Sequence, residues 1–381
     1  MGLMTEAYRN RPTRAEVSLR RLRENLGVVR SFVGPSVRIM AMVKSNAYGH
    51  GIVEASRAFL DAGAEYLGVA YLEEAVYLRE SGVNAPILVC GAINTDQIED
   101  FIRYGVDITS SSLDKSRAIA ATAQRLGRTA RVHLKVDTGM ERIGVHWYHA
   151  ENFINGTMEL PGLEIVGIFS HLARADTDPS FTEEQVRRMD QVAAYMARKN
   201  ILPPFVHLAN SAAVIAEPRS YYTMVRPGIM LYGYNPFGLD SPHHVPLRPA
   251  MTLKTKVSFF KVVPAGTGIS YGHTYVTTRQ TRVVTLPLGY GDGYRRHLSN
   301  RGQVVIRGRR YPVVGTICMD QIMVDIGPDG TAYNGDDVLL FGEMDGYTIP
   351  LETLCDAIGT ITYEFLCGIA PRVPRVYVDD K

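Results

Sequence analysis

The chain has 381 residues, and its 41 lysines and arginines against 39 aspartates and glutamates give a formal net charge of +2. A hydrophobic content of 46% with 21% charged residues is ordinary for a globular protein with a full core, and it excludes a disordered chain. No basic block and no apolar stretch of about 18 residues stands out, so we expect neither nucleic acid nor a membrane as a partner.

The N-terminal segment carries charge with no apolar stretch behind it, so the sequence predicts no secretory signal peptide. The cysteines form no CxxC pair and are sparse for this length: Cys90, Cys318, Cys355 and Cys367. Sparse, unpaired cysteines indicate reduced thiols. We therefore expect a cytoplasmic protein.

Eight short apolar runs, separated by longer amphipathic stretches, occupy the first two thirds of the chain. They lie at 37–45, 66–71, 85–91, 107–111, 130–139, 163–172, 205–211 and 224–233. Their starts are about 27 residues apart on average, which is what one strand, one helix and two loops need in a barrel. Runs that are apolar on both faces are typical of covered parallel strands. The pattern favours a (β/α)8 TIM-type barrel over 1–247, with an open doubly wound sheet as the alternative.

Helical signals lie between these runs. The segment 95–105 begins with Thr95 as a capping residue and ends at a glycine, and the segment 113–127 also ends at a glycine. In the segment 180–200, Thr182 is followed by two glutamates, a combination typical of a helix N-terminus. These signals support a regular alternation of strands and helices.

The pattern changes near residue 243, and beyond it the chain consists of strand-like runs. They predict a β-rich C-terminal domain over 248–381. The sequence RGRR at 307–310 separates two such runs and is typical of a hairpin turn, in which Gly308 supplies the permissive backbone. The first 15 or so residues could pack with this second domain instead of the barrel.

In a barrel, chemically active side chains lie at the carboxyl ends of the strands and in the following loops. Here these positions carry a set that is unusual for one rim: Lys44, Arg142, His171, Asn210, Ser211 and Arg226. Lys44 leaves a buried apolar strand, and a desolvated lysine amine is a nucleophile that can form a Schiff base with an aldehyde cofactor. A lysine that extends from the rim into solvent is the alternative.

The residues after the seventh and eighth runs suggest a phosphate site. Ser211 is a hydroxyl donor, and the backbone amides of Gly228 and Ile229 are expected to be free to approach an anion. The loops after strands seven and eight are the recurrent phosphate position in barrels. Two phenols could add donors: Tyr48 and Tyr363. An ordinary turn is the alternative for the Arg-Pro-Gly sequence alone.

Arg226 and His171 suggest a second sub-site. An arginine does not give up its proton in a protein, so a cofactor ring nitrogen facing Arg226 must be an unprotonated acceptor. Such a ring is a weaker electron sink and does not favour a long-lived carbanion. A surface salt bridge is the alternative role for Arg226.

The second domain adds a tyrosine and a short turn. Tyr271 is flanked by glycine and is expected in a loop, where it is usable as an acid or base only if cations lower the cost of its anion. A packed aromatic is the alternative, since the chain has 21 tyrosines. Cys318, Met319 and Asp320 are predicted to form a turn after a strand.

Eight motifs occur in order along the chain: AMVKSNAYGHG, VHLKVDTGMERIGV, SHLA, LANSAA, VRPGIMLYG, SYGHTY, GTICMDQ and ITYEFLCGIAPRVPRVY. Together they resemble bacterial alanine racemase, a pyridoxal-phosphate enzyme of the barrel fold type, over nearly the whole chain. The resemblance implies interconversion of L-alanine and D-alanine by two bases, which supplies D-alanine for peptidoglycan. It also implies a homodimer with active sites shared between subunits. A serine racemase or a broad-specificity amino-acid racemase is the alternative.

The resemblance also implies roles for individual residues. The catalytic bases would be Lys44, which also holds the cofactor covalently, and Tyr271 of the partner subunit. Further cofactor contacts would be Tyr48, Arg142, His171, Asn210, Ser211, Arg226, Gly228, Ile229 and Tyr363. Substrate contacts would be Arg142 and Met319, with Lys135, Cys318 and Asp320 in support. Lys135 matches a lysine that is often carbamylated. Glu141 departs from the family pattern, which more often has glycine there.

Other classes are less well supported by the residues. A decarboxylase of the same barrel type needs an acidic partner for the ring nitrogen, and Arg226 argues against it. A non-catalytic pyridoxal-phosphate-binding barrel lacks a second domain like the one predicted here. No cluster of His, Cys and Asp has the spacing of metal ligands, so no metal is expected.

Overall fold

The computed structural model describes residues 10–379. Two compact units can be distinguished. The β unit contains the described residues up to Arg20, Tyr48–His50 and the residues from Pro249 onward, and the barrel unit contains Arg21–Ala47 and Gly51–Arg248. The division after residue 247 stays a prediction. Within the described residues, no helix has both the length and the apolar composition needed to cross a membrane.

Eight parallel strands close into a barrel, which confirms the predicted fold. In chain order these barrel strands are Arg38–Met42, Tyr66–Val69, Ile87–Val89, Asp107–Ser110, Ala130–Asp137, Leu163–Phe169, Phe205–His207 and Met224–Val225. Each pairs with its neighbours in sequence, and the eighth strand closes the ring by pairing with the first. Most strand residues are buried, as expected for parallel strands covered on both faces.

Helices follow the barrel strands. Their bounds are Leu19–Val33 before the first barrel strand, then Ile52–Asp61, Leu72–Glu80, Ile98–Arg103, Leu113–Arg125, Ala150–Met158, Pro179–Arg198 and Ser211–Ala216. The segment Lys44–Tyr48 is a single turn with left-handed backbone angles. A short strand, Val145–His146, pairs with Ala130–Asp137 outside the ring. The apolar faces of these helices supply the buried residues that cover the barrel.

Two predicted helix starts are wrong. Thr95 opens a 3₁₀ turn and does not cap a helix, because the α-helix begins only at Ile98, after that turn. The hydroxyl of Thr95 accepts a hydrogen bond from Lys115 Nζ at 2.9 Å instead. The helix Pro179–Arg198 begins before Thr182, because the carboxylate of Asp178 accepts a hydrogen bond from the Phe181 amide at 3.0 Å. An aspartate cap followed by proline at the first helical position is a stronger start signal than threonine with two acids.

The β unit consists mostly of strands, as predicted. Nine strands form one path, in the order Phe259–Val263, Thr281–Leu286, Ile322–Asp325, Arg309–Val314, Gln303–Ile306, Asp337–Met344, Met251–Lys256, Arg14–Ser18 and Arg375–Val378. Further elements are the strands Gly268–Ile269, Tyr275–Val276 and Tyr347–Ile349 and the helices Leu351–Ile358 and Thr362–Cys367. Most neighbours on this path are antiparallel, which suits a sheet assembled from hairpins.

The predicted hairpin at 307–310 is confirmed. Ile306 pairs with Arg309, and the two residues between them, Arg307 and Gly308, have φ of 48° and 75°. Positive φ at both central residues matches the right-handed twist of the flanking strands.

The chain turns sharply after the first barrel strand. Four consecutive residues, Ser45 to Tyr48, have φ between 51° and 55°. Left-handed backbone costs a non-glycine residue about 1–2 kcal/mol, so the surrounding structure must hold this turn. The Ser45 amide donates to Glu74 Oε1 at 2.5 Å, and Asn46 Oδ1 accepts from the Ile52 amide at 2.9 Å. These bonds fix the segment that follows Lys44.

Gly49 gives a test of the packing after this turn. Its φ is 81°, and a Cβ there would overlap the carbonyl oxygen of Leu366, a backbone atom that cannot rotate away. The replacement Gly49→Ala is expected to lower the free energy of unfolding by about 3 kcal/mol or more. In the control Gly63→Ala, φ is 97° but the space is open, so only about 1 kcal/mol of backbone strain remains. Urea unfolding followed by circular dichroism measures both, and equal losses would contradict the packing.

Candidate active site

Lys44 lies directly after the first barrel strand, where the strained turn begins, and its side chain is half-buried. Three further cations lie near Lys44 at this end of the barrel: Lys135, Arg142 and Arg226. The charges of all four cations act to lower the pKa of His171 and the pKa of the Cys90 thiol. The carboxyl ends of the strands therefore carry a concentration of positive charge.

Lys135 lies on the fifth barrel strand, and its side chain is 3% exposed. Its Nζ lies 4.7 Å from the centre of the Phe169 ring. Burial, together with the charge of Arg226, lowers the pKa of Lys135 to about 7. A substantial fraction of this amine is therefore neutral near pH 7, unlike that of a surface lysine.

Arg226 follows the eighth barrel strand and is 4% exposed, so the surface salt bridge considered for it is wrong. Its Nη2 donates to the carbonyl oxygens of Ser170 at 2.6 Å and Leu208 at 3.2 Å. Its Nη1 donates to His207 Nδ1 at 2.8 Å, and its Nη2 lies 3.3 Å from His171 Nδ1. Burial lowers the pKa of Arg226 to about 10, which leaves the guanidinium charged at pH 7.

His171 and His207 are both neutral in this setting. Burial, reinforced by the charge of Arg226, holds the pKa of each imidazole well below its usual value. A neutral imidazole has one nitrogen without a proton, and that nitrogen can accept from the guanidinium. Within residues 10–379 no carboxylate pairs with Arg226, so imidazoles and carbonyls satisfy its hydrogens.

The loops after the seventh and eighth barrel strands come together as predicted. The Oγ of Ser211 accepts from the amide of Gly228 at 2.8 Å and lies 3.4 Å from the amide of Met230. The amide of Gly228 is therefore not free, contrary to the expectation, because the hydroxyl of Ser211 occupies it. Asn210 caps the helix Ser211–Ala216, since its Oδ1 accepts from the Ala213 amide at 3.1 Å. An anion could reach this cradle if Ser211 turned its hydroxyl toward it.

Asp137 holds the loop that carries Arg142. Its Oδ1 accepts from the amides of Gly139 at 2.7 Å and Met140 at 2.9 Å, and its Oδ2 accepts from the Arg142 amide at 3.3 Å. Burial alone would raise the pKa of Asp137, but these backbone hydrogen bonds lower it. Glu141 has φ of 53°, a conformation that favours glycine. This explains physically why glycine suits the position, and Glu141 places its carboxylate 3.7 Å from His146.

The predicted residues of the β unit form two groups. The rings of Tyr48 and Tyr363 lie with their centres 6.0 Å apart. The second group lines an open cavity of about 790 Å³ and consists of Tyr271, Cys318, Met319 and Asp320. Tyr271 lies on a short 3₁₀ turn and is 73% exposed. Met319 lies on the predicted turn after a strand and is 53% exposed. The carboxylate of Asp320 accepts from Arg372 at 2.8 Å.

The predicted residues are thus divided between the units. The barrel unit holds Lys44, Lys135, Arg142, His171, Asn210, Ser211, Arg226, Gly228 and Ile229, and the β unit holds Tyr48, Tyr271, Cys318, Met319, Asp320 and Tyr363. Sequence reasoning missed His207, the imidazole that lies closest to Arg226. The signal was present, because the sequence Val-His-Leu occurs in two barrel strands and places His133 and His207 among buried apolar residues.

The cation cluster fits an anionic cofactor with an aldehyde. Four cations at the strand ends leave a positive potential, and Asp137, the acid that acts on Lys135, already uses both oxygens on backbone amides. An amine after the first barrel strand and a buried guanidinium after the last are the groups that a pyridoxal-phosphate-dependent isomerase of the barrel type needs.

Comparisons with known proteins give the family. The family profile "Alanine racemase, N-terminal domain" matches residues 17–236, and "Alanine racemase, C-terminal domain" matches residues 250–377. The chain therefore belongs to the alanine racemase family. The alanine racemase of Desulforamulus reducens is 45% identical over 371 residues, which are 96% of this chain and 99% of that protein.

Solved structures agree over the whole fold. Alanine racemase from Clostridium difficile 630 has a TM-score of 0.91 at 37% identity, covering 97% of this chain and 96% of that one. The Bacillus anthracis enzyme with bound L-Ala-P has a TM-score of 0.90 at 34% identity, covering 97% and 95%. The Bartonella henselae enzyme with covalently bound pyridoxal phosphate has a TM-score of 0.85 at 29% identity, covering 96% and 99%.

The buried amine of Lys135 makes stability depend on pH. Between the folded pKa of about 7 and the ordinary value of 10.5, the unfolded chain binds more protons at this residue than the folded chain. The free energy of unfolding should therefore rise with pH in this range, by up to about 1.4 kcal/mol per pH unit relative to Lys135→Met. Denaturant unfolding at pH 7 to 10 in carbon-dioxide-free buffer measures the difference, because a free amine reacts with carbon dioxide. Parallel curves for the two proteins would contradict the burial of a titrating amine.

Proposed function

We propose that the protein interconverts L-alanine and D-alanine with pyridoxal phosphate bound at the carboxyl ends of the barrel strands. The observation that carries this proposal is the buried, permanently charged Arg226, whose hydrogens are taken by carbonyls and imidazoles. A ring nitrogen that faces this guanidinium stays unprotonated. That arrangement favours prompt return of a proton to the substrate, and it disfavours the decarboxylase considered from the sequence.

The cofactor supplies the acidity of the substrate. When bound, pyridoxal phosphate withdraws electrons from the amino acid and so weakens the Cα–H bond. In this proposal Lys44 holds the cofactor covalently, and Ser211, Gly228 and Ile229 contact its phosphate. The Bartonella henselae neighbour with covalently bound pyridoxal phosphate supports such a link. The roles of Tyr48 and Tyr363 as further phosphate contacts stay predictions.

Two bases of different kind then move the proton at Cα. Lys44 would remove it from D-alanine on one face, and Tyr271 of the partner subunit would remove it from L-alanine on the other. The opposite base would then return a proton on the other face, so the configuration at Cα inverts without rotation of the substrate. Arg142 would bind the substrate carboxylate, with Lys135 holding Arg142 in place, and Met319 of the partner subunit would contact the substrate.

A homodimer with shared active sites follows from these roles. Tyr271 and Met319 are exposed beside an open cavity of about 790 Å³ in the β unit. Exposed phenol and thioether groups next to a concave surface suit contact with a second copy of the chain. The barrel unit supplies Lys44, and the partner's β unit would supply the second base.

Alanine is the substrate that the relatives favour. The relatives and solved structures named above are alanine racemases, and the Bacillus anthracis structure contains L-Ala-P. This favours alanine over the serine or broad-specificity alternative, and D-amino-acid analysis after incubation with a panel of L-amino acids separates them. The product would supply D-alanine for peptidoglycan in the cytoplasm.

Single substitutions separate the two bases. Lys44→Ala is expected to abolish both the visible absorbance of bound cofactor and racemisation. Tyr271→Phe should keep the absorbance and slow proton removal from L-alanine by about 10²–10⁴-fold, while D-alanine still exchanges its Cα hydrogen in D₂O. Tyr347→Phe is the matched control, an exposed tyrosine of the same unit outside the cavity. Full activity of Tyr271→Phe would refute the second base.

Mixed dimers test whether the active sites are shared. Co-expression of Lys44→Ala and Tyr271→Phe chains gives mixed dimers in which one site has both intact bases and the other has neither. With random pairing, half of the dimers are mixed, and activity should return to roughly a quarter of wild type. Each variant alone serves as the control. An inactive mixture that contains mixed dimers would contradict shared sites.

A further inference from the structure

A chain of buried polar side chains runs inside the barrel from Arg226 toward the amino ends of the strands. Arg226 Nη1 lies 2.8 Å from His207 Nδ1, and His207 Nε2 lies 2.9 Å from His133 Nδ1. His133 Nε2 in turn lies 3.4 Å from Asp107 Oδ2. All four side chains are buried, so water cannot readily replace a lost bond.

The hydrogen bonds of this chain have only one consistent direction. A guanidinium only donates, so His207 Nδ1 must be unprotonated and accept from Arg226. A neutral His207 then carries its proton on Nε2 and donates it to His133 Nδ1. A neutral His133 likewise carries its proton on Nε2 and donates toward Asp107. Every bond is therefore donated away from Arg226 and toward the carboxylate.

Asp107 is equipped to be the final acceptor. Its Oδ1 accepts from Arg131 Nε at 2.9 Å, and its Oδ2 accepts from the hydroxyl of Tyr66. Burial alone would raise the pKa of Asp107, but hydrogen bonds with His133 and Arg131 lower it, so the carboxylate stays ionised. Burial also lowers the pKa of His133, which keeps that imidazole neutral.

Packing fixes the planes of the two imidazoles. His133 stacks on Phe205 with ring planes 6° apart, and His207 stacks on Phe169 with planes 3° apart. A Cβ at Gly167 would overlap the ring of His133, so the absence of a side chain there leaves room for the imidazole. The rings therefore cannot turn freely to choose other partners.

We propose that Asp107 is a positioning residue for Arg226 and that the two imidazoles between them transmit its effect. Arg226 at one end and Asp107 at the other favour the same tautomers, with the proton of each imidazole on Nε2 and an acceptor facing the guanidinium. Without the distal acceptor only Arg226 favours them, and rings with the proton on Nδ1, where it opposes the N–H of Arg226, become populated. The consequence for catalysis rests on the proposed function, in which Arg226 faces the cofactor ring.

The test reads the imidazole protons directly in the cofactor-loaded enzyme. Long-range ¹⁵N NMR of histidine-labelled wild type should give both His133 and His207 as neutral rings protonated on Nε2. Protonation of His207 on Nδ1, or a charged imidazole at either residue, would overturn the proposal, and this readout does not depend on any variant folding.

Substitutions then isolate the acceptor. The hydroxyl of Tyr66 lies 3.4 Å from His133 Nε2 and could replace the carboxylate, so the variants are made in a Tyr66→Phe background. Adding Asp107→Leu should change the tautomers and lower kcat on the order of tenfold with little change in KM. Adding Asp107→Asn instead keeps an acceptor, so the tautomers and kcat should stay as in Tyr66→Phe alone. Unchanged tautomers and kcat with Asp107→Leu would refute the role of Asp107.

Two controls separate the role of Asp107 from a general effect of charge and from the proposed function. Glu164→Gln removes a negative charge 3.8 Å from Arg131 but changes none of the hydrogen-bonded side chains from Arg226 to Asp107. It should leave the tautomers and kcat at their wild-type values. A loss in Glu164→Gln equal to that with Asp107→Leu would make the effect one of charge and overturn the proposal. If NMR shows the predicted tautomers but the enzyme fails to racemise alanine, the hydrogen-bond direction from Arg226 to Asp107 is supported and the proposed function is refuted.

Discussion

Burying a guanidinium without a carboxylate beside it costs several kcal/mol unless all its hydrogens find acceptors, and this constraint organises the barrel. Both Nη atoms of Arg226 find acceptors, which are two backbone carbonyls and the imidazoles of His171 and His207. Those imidazoles must be neutral to accept, and burial keeps them so. The charge therefore remains uncompensated at the strand ends. An anionic ligand bound there would be stabilised by that charge, and a ring nitrogen that faced Arg226 would stay unprotonated.

The backbone on both sides of Lys44 is held rigidly, and this fixes the position of its amine. Lys44 follows a fully paired barrel strand and precedes four residues of left-handed backbone, and strain of this kind persists only where neighbouring bonds hold it. Lys135 shows the other effect of the cation cluster. Burial and the charge of Arg226 lower the pKa of Lys135 to about 7, so a substantial fraction of this amine is neutral near pH 7. Lys135 is therefore chemically able to bind an aldehyde, and geometry must select between it and Lys44.

Much of the fold could be predicted because covered parallel strands are apolar on both faces, and the eight runs reflect this. The helix starts predicted at Thr95 and Thr182 are wrong, because a 3₁₀ turn separates Thr95 from the α-helix at Ile98 and Asp178 caps the helix that contains Thr182. The amide of Gly228 was expected to be free, but the partner that occupies it, Ser211, is close only in the folded barrel. The turn after Lys44 could not be predicted, since none of its four left-handed residues is glycine. His207 was missed although its position within an apolar strand indicates burial, because the sequence does not show that its partner is Arg226.

The central claim is that Lys44, and not the buried Lys135, holds the cofactor in the barrel. Borohydride reduction of the cofactor-loaded enzyme makes that bond permanent, and peptide mapping by mass spectrometry then locates it. The account predicts a pyridoxyl group on the peptide that contains Lys44 and an unlabelled peptide for Lys135. A pyridoxyl group on Lys135, or no labelled lysine in a fully loaded enzyme, would contradict it.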